Sequence, residues 1–468
     1  MDGAKPSDAI SAAFAAQRAK VEERRLQFGL TERRAALDKL ARAIRQREAA
    51  IIAALQQDFG KPEAETILSE ILPVMQEIRH TSRHLRRWMK PKRALPSLAT
   101  FGTSAQVVAQ PRGVCLIVAP WNYPFNLCLG PLVSCLAAGN SAILKPSEMT
   151  PATSALIARL IADVFPPDLV TVIEGGKDVS QALLSLPFDH IFFTGSPAVG
   201  RIVMAAAAKH LTSVTLELGG KSPTIVGRDA NIEQAAKWIL FGKFVNAGQT
   251  CIAPDHLFVH RAIKDDFLNV LRAEIAKAYG SSATSPHLAK IVNDQHAARL
   301  TGLLADAKAK GARLLSGGNA QGRAIEPTLI EAITPEMEID REEIFGPILP
   351  VTTYDDIEPV LARINARPKP LALYVFDRDQ ARVQHILDAT TSGGAGVNLT
   401  VMQYTHDGLP FGGVNNSGIG AAHGEYGFRA FSHERAVLRN RFSLLTLIFP
   451  PYEGRARRLI DLAKRFLG

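Results

Sequence analysis

At 468 residues the chain has room for about three domains of ordinary size or one large enzyme. A composition of 47% hydrophobic and 21% charged residues excludes long disorder, and apolar runs such as residues 127–139 stop short of the ~18 residues that cross a bilayer as a helix. The net charge of +9 is spread along predicted helices, which argues for solvated helix faces over nucleic-acid binding and leaves room for an anionic cofactor.

Charged residues begin at Asp2, with no apolar stretch ahead of a small-residue cleavage site, so no signal peptide is read. Residues 7–90 read as helix after helix. Leu37, Leu40, Ile44, Ile51 and Leu55 keep one helical stripe, Thr31 is the expected cap, and Gly60 with Pro62 ends it. Pro91 and Pro96 then suggest a linker or crossing strand, and the alternation in TSAQVVAQPRG an extended ribbon.

From Gly113 the pattern changes to short apolar strands, GVCLIVAP, NSAILKP, LVTVIEGG and HIFFTGS, separated by helical stretches such as 151–165 and 178–185. Alternation of this kind predicts a parallel, doubly wound sheet that binds ligands at the carboxyl ends of its strands. A second alternating block, about 223–400, contains SPTIVG, HLFVH and LALYVF, and two α/β units imply a cleft between them.

The candidate chemistry lies at the ends of these strands. APWNYP (119–124) fixes Asn122 between prolines, where its amide can face a developing oxyanion, although turns also favour asparagine. In ILKPSE (143–148), Lys145 and Glu148 can both reach ribose hydroxyls, and an acid there favours NAD over its 2'-phosphorylated form. FFTGSPAVG (192–200) offers a phosphate seat at a helix N-terminus, but as G-S-x-x-x-G it is no dinucleotide fingerprint. Glu217 ends an alternating strand beside Gly219 and Gly220 and can act as a base if burial raises its pKa; Glu343 in REEIFGP is similar.

Four cysteines, Cys115, Cys128, Cys135 and Cys251, include no C-x-x-C pair, so neither a disulfide framework nor a metal site is expected, and a reducing, cytoplasmic location is. The first three lie in apolar runs and read as small hydrophobes. Cys251 follows Gly248, Gln249 and Thr250, poor core partners, and is open to either packing or reactivity.

Taken in order, PWNYP, ILKPSE, FTGSPAVG, ELGGKSP, NAGQTC, EEIFGP and LPFGGVNNSGIG resemble the aldehyde dehydrogenase superfamily, over about residues 20–435. CIAPD and the ending HGEYGFRAFSHERAVL resemble its class 3 branch of fatty, aromatic and coniferyl-type enzymes. The resemblance implies two doubly wound, Rossmann-like parallel-sheet domains and a small β bridging hairpin. The NAD-binding domain would be 1–89 and 112–219, the catalytic domain 220–414, the bridging segment 90–111 and 415–440, and a tail helix 441–468. It implies Cys251 as the nucleophile, Asn122 and the Cys251 N–H as oxyanion donors, and Glu217 and Glu343 as candidate bases. Trp121, Lys145, Glu148, Gly195, Ser196, Val199, Gly200, Leu218, Gly219, Glu343 and Phe345 would contact NAD or NADP, and Tyr123, Phe411 and His423 the substrate.

The implied activity is NAD(P)-dependent oxidation of a medium- or long-chain aliphatic or aromatic aldehyde to its acid, in a homodimer. Two alternatives stand beside it: a CoA-acylating dehydrogenase, in which CoA resolves the thioester, and a catalytically silent binding or structural homologue. Glu217 argues against the first, and the presence of Cys251, Asn122 and Glu217 against the second. The basic amphipathic tail is expected to pack at the substrate entrance or on a dimer partner in preference to a membrane surface.

Overall fold

The computed structural model describes residues 6–97, 100–280 and 282–467. The absence of a leader, read in part on residues 1–5, lies outside that range, as does the end of the tail at Gly468.

The N-terminal fifth is helical, with helices at Pro6–Ala19, Val21–Gln27, Leu30–Gln46, Glu48–Phe59 and Glu63–Thr66, then a π-helical turn at Ile67–Ile71 that runs into Leu72–Trp88. The expected stripe is the core face: Leu37, Leu40, Ile44, Ile51 and Leu55 are all fully buried. Removing any one of these side chains should cost about 2–5 kcal/mol. Two details differ from expectation. Thr31 lies inside the first turn while Gly29, in extended conformation, occupies the cap, because Arg33 donates from its side chain to the Phe28 carbonyl and from its backbone to that of Gly29. The stripe also passes through a break at Arg47, where φ is −112° and ψ 12°.

One sheet has the spatial order Gly418–Ile419, Ser213–Glu217, His190–Thr194, Val114–Val118, Ser141–Lys145, Val170–Val172, parallel except for its first, antiparallel edge. Chain order reverses between Val114–Val118 and His190–Thr194, which makes the crevice beyond their carboxyl ends the natural ligand site. Residues 418–419 therefore leave the bridging segment to which 415–440 was assigned: Gly418 pairs with Glu217. The second sheet runs Arg313–Ser316, Thr328–Glu331, Ile348–Tyr354, His256–His260, Pro223–Val226, Ala372–Phe376, Gly394–Val397, with only the first strand antiparallel.

A separate antiparallel ribbon joins Lys92–Ala94, Thr103–Pro111 and Ser432–Asn440, with Thr103 opposite Asn440 and Pro111 opposite Ser432. Beyond it the tail is helical only in parts, at Leu444–Ile448 and Arg455–Leu467. Ser443 caps the first of these through the Leu445 amide, and Gly454, with φ of 56°, precedes the second.

The two large sheets meet end to end. Leu218–Ser222 carries the chain from the carboxyl end of strand Ser213–Glu217 into the amino end of Pro223–Val226. Asn122, Lys145 and Glu217 thus lie at carboxyl ends of the first sheet, whereas Cys251 and Glu343 precede the amino ends of His256–His260 and Ile348–Tyr354.

Candidate active site

The NAGQTC segment is a strained turn that presents a thiol. Asn246 and Ala247 adopt φ of 53° and 52°, and Gly248 φ of 74°. Asparagine tolerates that region through its short polar side chain, and Gly248 is needed twice over, since a Cβ there would fall 2.4 Å from the Gly346 carbonyl oxygen. Gln249 locks the turn: its amide donates to the carbonyls of Asn246 (2.9 Å) and Lys290 (3.1 Å), and its Oε1 accepts the Val292 N–H (3.0 Å). Thr250 bonds the Tyr123 hydroxyl at 2.6 Å, and Cys251 follows, partly exposed.

Burial first, and then the Glu343 and Glu217 charges, push the Cys251 thiol well above the ordinary range, against the pull of the Cys251 and Ile252 amides. The thiolate is therefore costly until the carboxyls are neutral or a substrate consumes it. The other three cysteines are free and fully buried, consistent with packing roles.

Asn122 is buried beside this turn, and its Nδ2 donates to the Gln249 carbonyl at 3.0 Å. A side-chain amide carries two N–H groups, so one hydrogen remains for a second acceptor. Its backbone carbonyl accepts from Asn246 Nδ2 at 2.8 Å, so Asn122 is tied to the cysteine turn through both its backbone and its side chain.

Glu217 is buried with neither carboxylate oxygen hydrogen-bonded among the described residues, and desolvation pushes its pKa well above the carboxylate range. Glu343 is pushed up to about 8, by burial first and then by Asp255, with the Gly220 amide opposing. It packs so closely on Gly219 that a Cβ there would fall 2.3 Å from its Oε2.

The other candidates line the same crevice. Lys145 Nζ lies 2.6 Å from Glu148 Oε2; burial opposes the Glu148 charge, but the lysine outweighs it and the pKa falls below its usual value. Ser196 caps the helix Pro197–Ala208 by accepting the Val199 amide, and the Gly195 amide donates to the Glu217 carbonyl at 3.0 Å. A Cβ at Gly200 would fall 2.8 Å from Leu218, so glycine sets that helix-to-strand distance. The Trp121 and Phe345 rings meet edge to face at 5.3 Å. The residues present fit a dinucleotide, with a capped helix N-terminus for phosphate, a paired lysine and acid for ribose, and an aromatic wall.

Tyr123, Phe411 and His423 all reach one cavity of about 390 Å³, together with Glu217 and Cys251. Its walls are mostly apolar, including Leu68, Leu72, Leu127, Phe241, Ile252 and Met402. The VMQYTHDG stretch forms one wall, where Tyr404 meets His423 at 4.5 Å and Phe411 at 4.9 Å. No residue after His423 lines this cavity among the described residues, and the tail helix packs on Leu444–Ile448.

Besides the partly exposed Asp407, two cavity-lining carboxyls with raised pKa values were not singled out in the sequence. Glu65 accepts the Asn246 amide at 2.9 Å and Glu77 the Gly424 amide at 3.0 Å, and burial pushes each up to about 7. Both occur in the amphipathic N-terminal helices, where an acid ordinarily marks the solvent face, so sequence carried no signal for them. Among the described residues no group of three His, Cys, Asp or Glu side chains is placed to hold a metal, and no helix is long and apolar enough to cross a membrane.

The aldehyde dehydrogenase family model matches residues 1–437. The chain is 43% identical to the 4,4'-diaponeurosporen-aldehyde dehydrogenase of Staphylococcus aureus, over 90% of this chain and 92% of that one. It is 39% identical to aldehyde dehydrogenase family 3 member A2 of Mus musculus, over 92% and 89%. A solved structure described as the substrate-bound state of Staphylococcus aureus AldH superposes with a TM-score of 0.92 and 41% identity, over 97% of this chain and 99% of that one. A partly exposed thiol beside two buried carboxyls at the junction of two parallel sheets has its explanation in that kinship: the chain belongs to the aldehyde dehydrogenase family, in its class 3-like branch, and oxidises aldehydes to carboxylic acids.

Proposed function

We propose that the substrate is an extended apolar aldehyde, long-chain aliphatic or polyene, oxidised with NAD(P) and released as the free acid. The observation that carries this is the apolar cavity of about 390 Å³ that contains both Cys251 and Glu217. The Staphylococcus aureus relative, named for a long polyene aldehyde, points the same way.

Cys251 Sγ adds to the aldehyde carbon, and its proton passes to a carboxylate, Glu343 or Glu217. The new oxyanion takes hydrogen bonds from the free N–H of Asn122 and the Cys251 amide, the arrangement that stabilises charge with least reorganisation. NAD(P), when bound by Lys145, Glu148, Gly195, Ser196, Val199, Gly200, Leu218, Gly219, Phe345 and Trp121, supplies the acceptor for the hydride leaving the same carbon. Water then cleaves the resulting thioester on Cys251, and its proton goes to the base. Glu217 suits this last step because it faces the cavity with both oxygens unengaged. That placement also supports hydrolysis over transfer to CoA.

The exposed Glu148 carboxylate would repel a 2'-phosphate, which supports NAD as the preferred form. The core that the helices between Leu30 and Trp88 share with the first sheet, together with sheet membership, supports an NAD-binding unit of 1–89 and 112–219 and a catalytic unit of 220–414, with the ribbon of 92–111 and 432–440 as the bridge. Leu95, Phe101, Leu438 and Phe442 are exposed on and beside that ribbon, which supports a homodimer through it. Four free cysteines support a reducing, cytoplasmic location.

The test is a panel of aldehydes of increasing chain length, followed by NADH formation and by product analysis with and without CoA. The expected result is kcat/KM rising with chain length and free acid as the product. A preference for acetaldehyde, or turnover that needs CoA, would sink the proposal.

A further inference from the structure

A buried ion pair lies beneath the loop that carries Asn122, and the chemistry above makes no use of it. Lys61 and Glu70 are both fully buried, with Lys61 Nζ 2.6 Å from Glu70 Oε1. Such a pair is seldom a net source of stability, because desolvating two charges offsets their attraction. Its other contacts are therefore informative.

Glu70 lies in the π-helical turn Ile67–Ile71, an irregularity that often marks functional positions. Its Oε2 accepts the backbone N–H groups of Phe125 (3.2 Å) and Asn126 (2.9 Å), at the start of the helix Asn126–Ala138. Lys61 Nζ reaches the other end of the same short segment, 3.4 Å from the Asn122 carbonyl oxygen and 4.5 Å from the centre of the Tyr123 ring. Asn246 Nδ2 bonds that same carbonyl and also the Gln249 carbonyl (3.2 Å) to which the Asn122 side chain donates. The pair thus grips residues 122–126 from below, while the cysteine turn holds them from above.

We infer that Lys61 and Glu70 are a positioning pair for the oxyanion site: they fix residues 122–126 so that the free N–H of Asn122 stays aimed at the carbonyl oxygen of an aldehyde on Cys251. The inference rests on the reading of Asn122 as an oxyanion donor. Its physical basis is that a donor stabilises a transition state fully only when it is preorganised, and a shift of ~1 Å can cost ~10²-fold in rate.

The experiment compares the full-length enzyme with Lys61→Met/Glu70→Gln, which removes both charges together, with Asn122→Ala, and with the triple variant. The expected result for the charge-free pair is a native circular dichroism spectrum, NAD affinity and aldehyde KM within ~3-fold of wild type, and kcat lower by ~10²-fold. Alkylation of Cys251 by iodoacetamide, which needs no oxyanion donor, should stay near the wild-type rate. The triple variant should be no slower than Asn122→Ala alone, because all the changes act through one group.

An unchanged kcat in the double variant overturns the pairing, as do losses that multiply in the triple variant or a fall in alkylation that tracks kcat. Full turnover in Asn122→Ala would remove the oxyanion reading itself, and the positioning role with it. Loss in Asn122→Ala beside a fully active double variant removes the positioning role alone. Should the double variant fail to fold, Glu70→Asp, which keeps both charges but shortens the reach to the Phe125 and Asn126 amides, carries the same comparison.

Discussion

Lys221 Nζ lies 2.6 Å from Asp255 Oδ2, and this ion pair clamps both flanks of Glu343. The lysine also donates to the carbonyls of Ile339 (3.0 Å) and Glu342 (2.6 Å), while Asp255 Oδ1 accepts the Ile344 amide (2.9 Å). Lys221 follows Gly220 in the crossing between the two sheets, so the pair ties the Glu343 loop to that crossing. Lys221→Met leaves a buried aspartate without its cation and should cost about 3–5 kcal/mol in denaturant unfolding. Adding Asp255→Asn should recover part of that loss; a single variant as stable as wild type would show that the clamp is not structural.

Cys251→Ala should abolish NADH formation while NAD binding, followed by cofactor fluorescence, stays within a few-fold. Residual turnover above ~0.1% of wild type would refute the covalent route, since loss of a nucleophile normally costs far more than ~10³-fold.

Glu217→Gln should separate the two halves of the reaction. One equivalent of NADH should appear in a burst, followed by a steady state slower by ~10²–10⁴-fold as the thioester waits for water. A variant that slows the burst and the steady state equally would move the hydrolytic role to Glu343.

Glu77 should make the fold less stable as pH rises. Burial in the folded protein pushes its pKa up to about 7, while in the unfolded chain it is near the ordinary ~4.3. The folded state therefore binds the extra proton, and the associated stability is fully present below ~4.3 and lost as pH climbs through about 7. Glu77→Gln should reduce the fall in unfolding free energy between pH 4.5 and 7.5 by about 1–3 kcal/mol. Identical pH profiles for wild type and variant would exclude a raised Glu77.

Glu148→Gln should raise the NADP-to-NAD ratio of kcat/KM by about tenfold or more, the equivalent of ~1.4 kcal/mol of repulsion removed. An unchanged ratio would place the adenosine ribose away from this carboxylate.

Much of this was legible in the sequence because the relevant signals are local. Strands such as Val114–Val118, Ser141–Lys145 and His190–Thr194 are short apolar runs closed by Gly, Pro or Ser, and a fully buried parallel strand has that pattern whatever surrounds it. The helical stripe from Leu37 to Leu55 and the ribbon at 103–111 follow from period alone. The motif order identified the family and pointed to Cys251, Asn122, Glu217 and Glu343 as candidates, because these residues sit on turns or strand ends whose shape depends on their own neighbours.

Other features depended on residues far apart in the chain. Glu65, Glu70 and Glu77 lie in helical segments, and Lys61 in the turn between two of them, where charge ordinarily marks the wet face, and only packing against residues 122–126, 246 and 424 buries them. Thr31 satisfied the local rule for a cap, yet Arg33, held by the Phe28 carbonyl and by the distant Ala137 carbonyl, puts Gly29 there. Residues 418–419 joined the first sheet because Glu217 offered an open edge. Sequence alone thus determined the elements and the candidate site residues, whose preferences are written in their immediate neighbours. Tertiary structure decided the ionisation of those residues and the shape of the cavity, because desolvation and packing depend on groups that the chain brings together only when it folds.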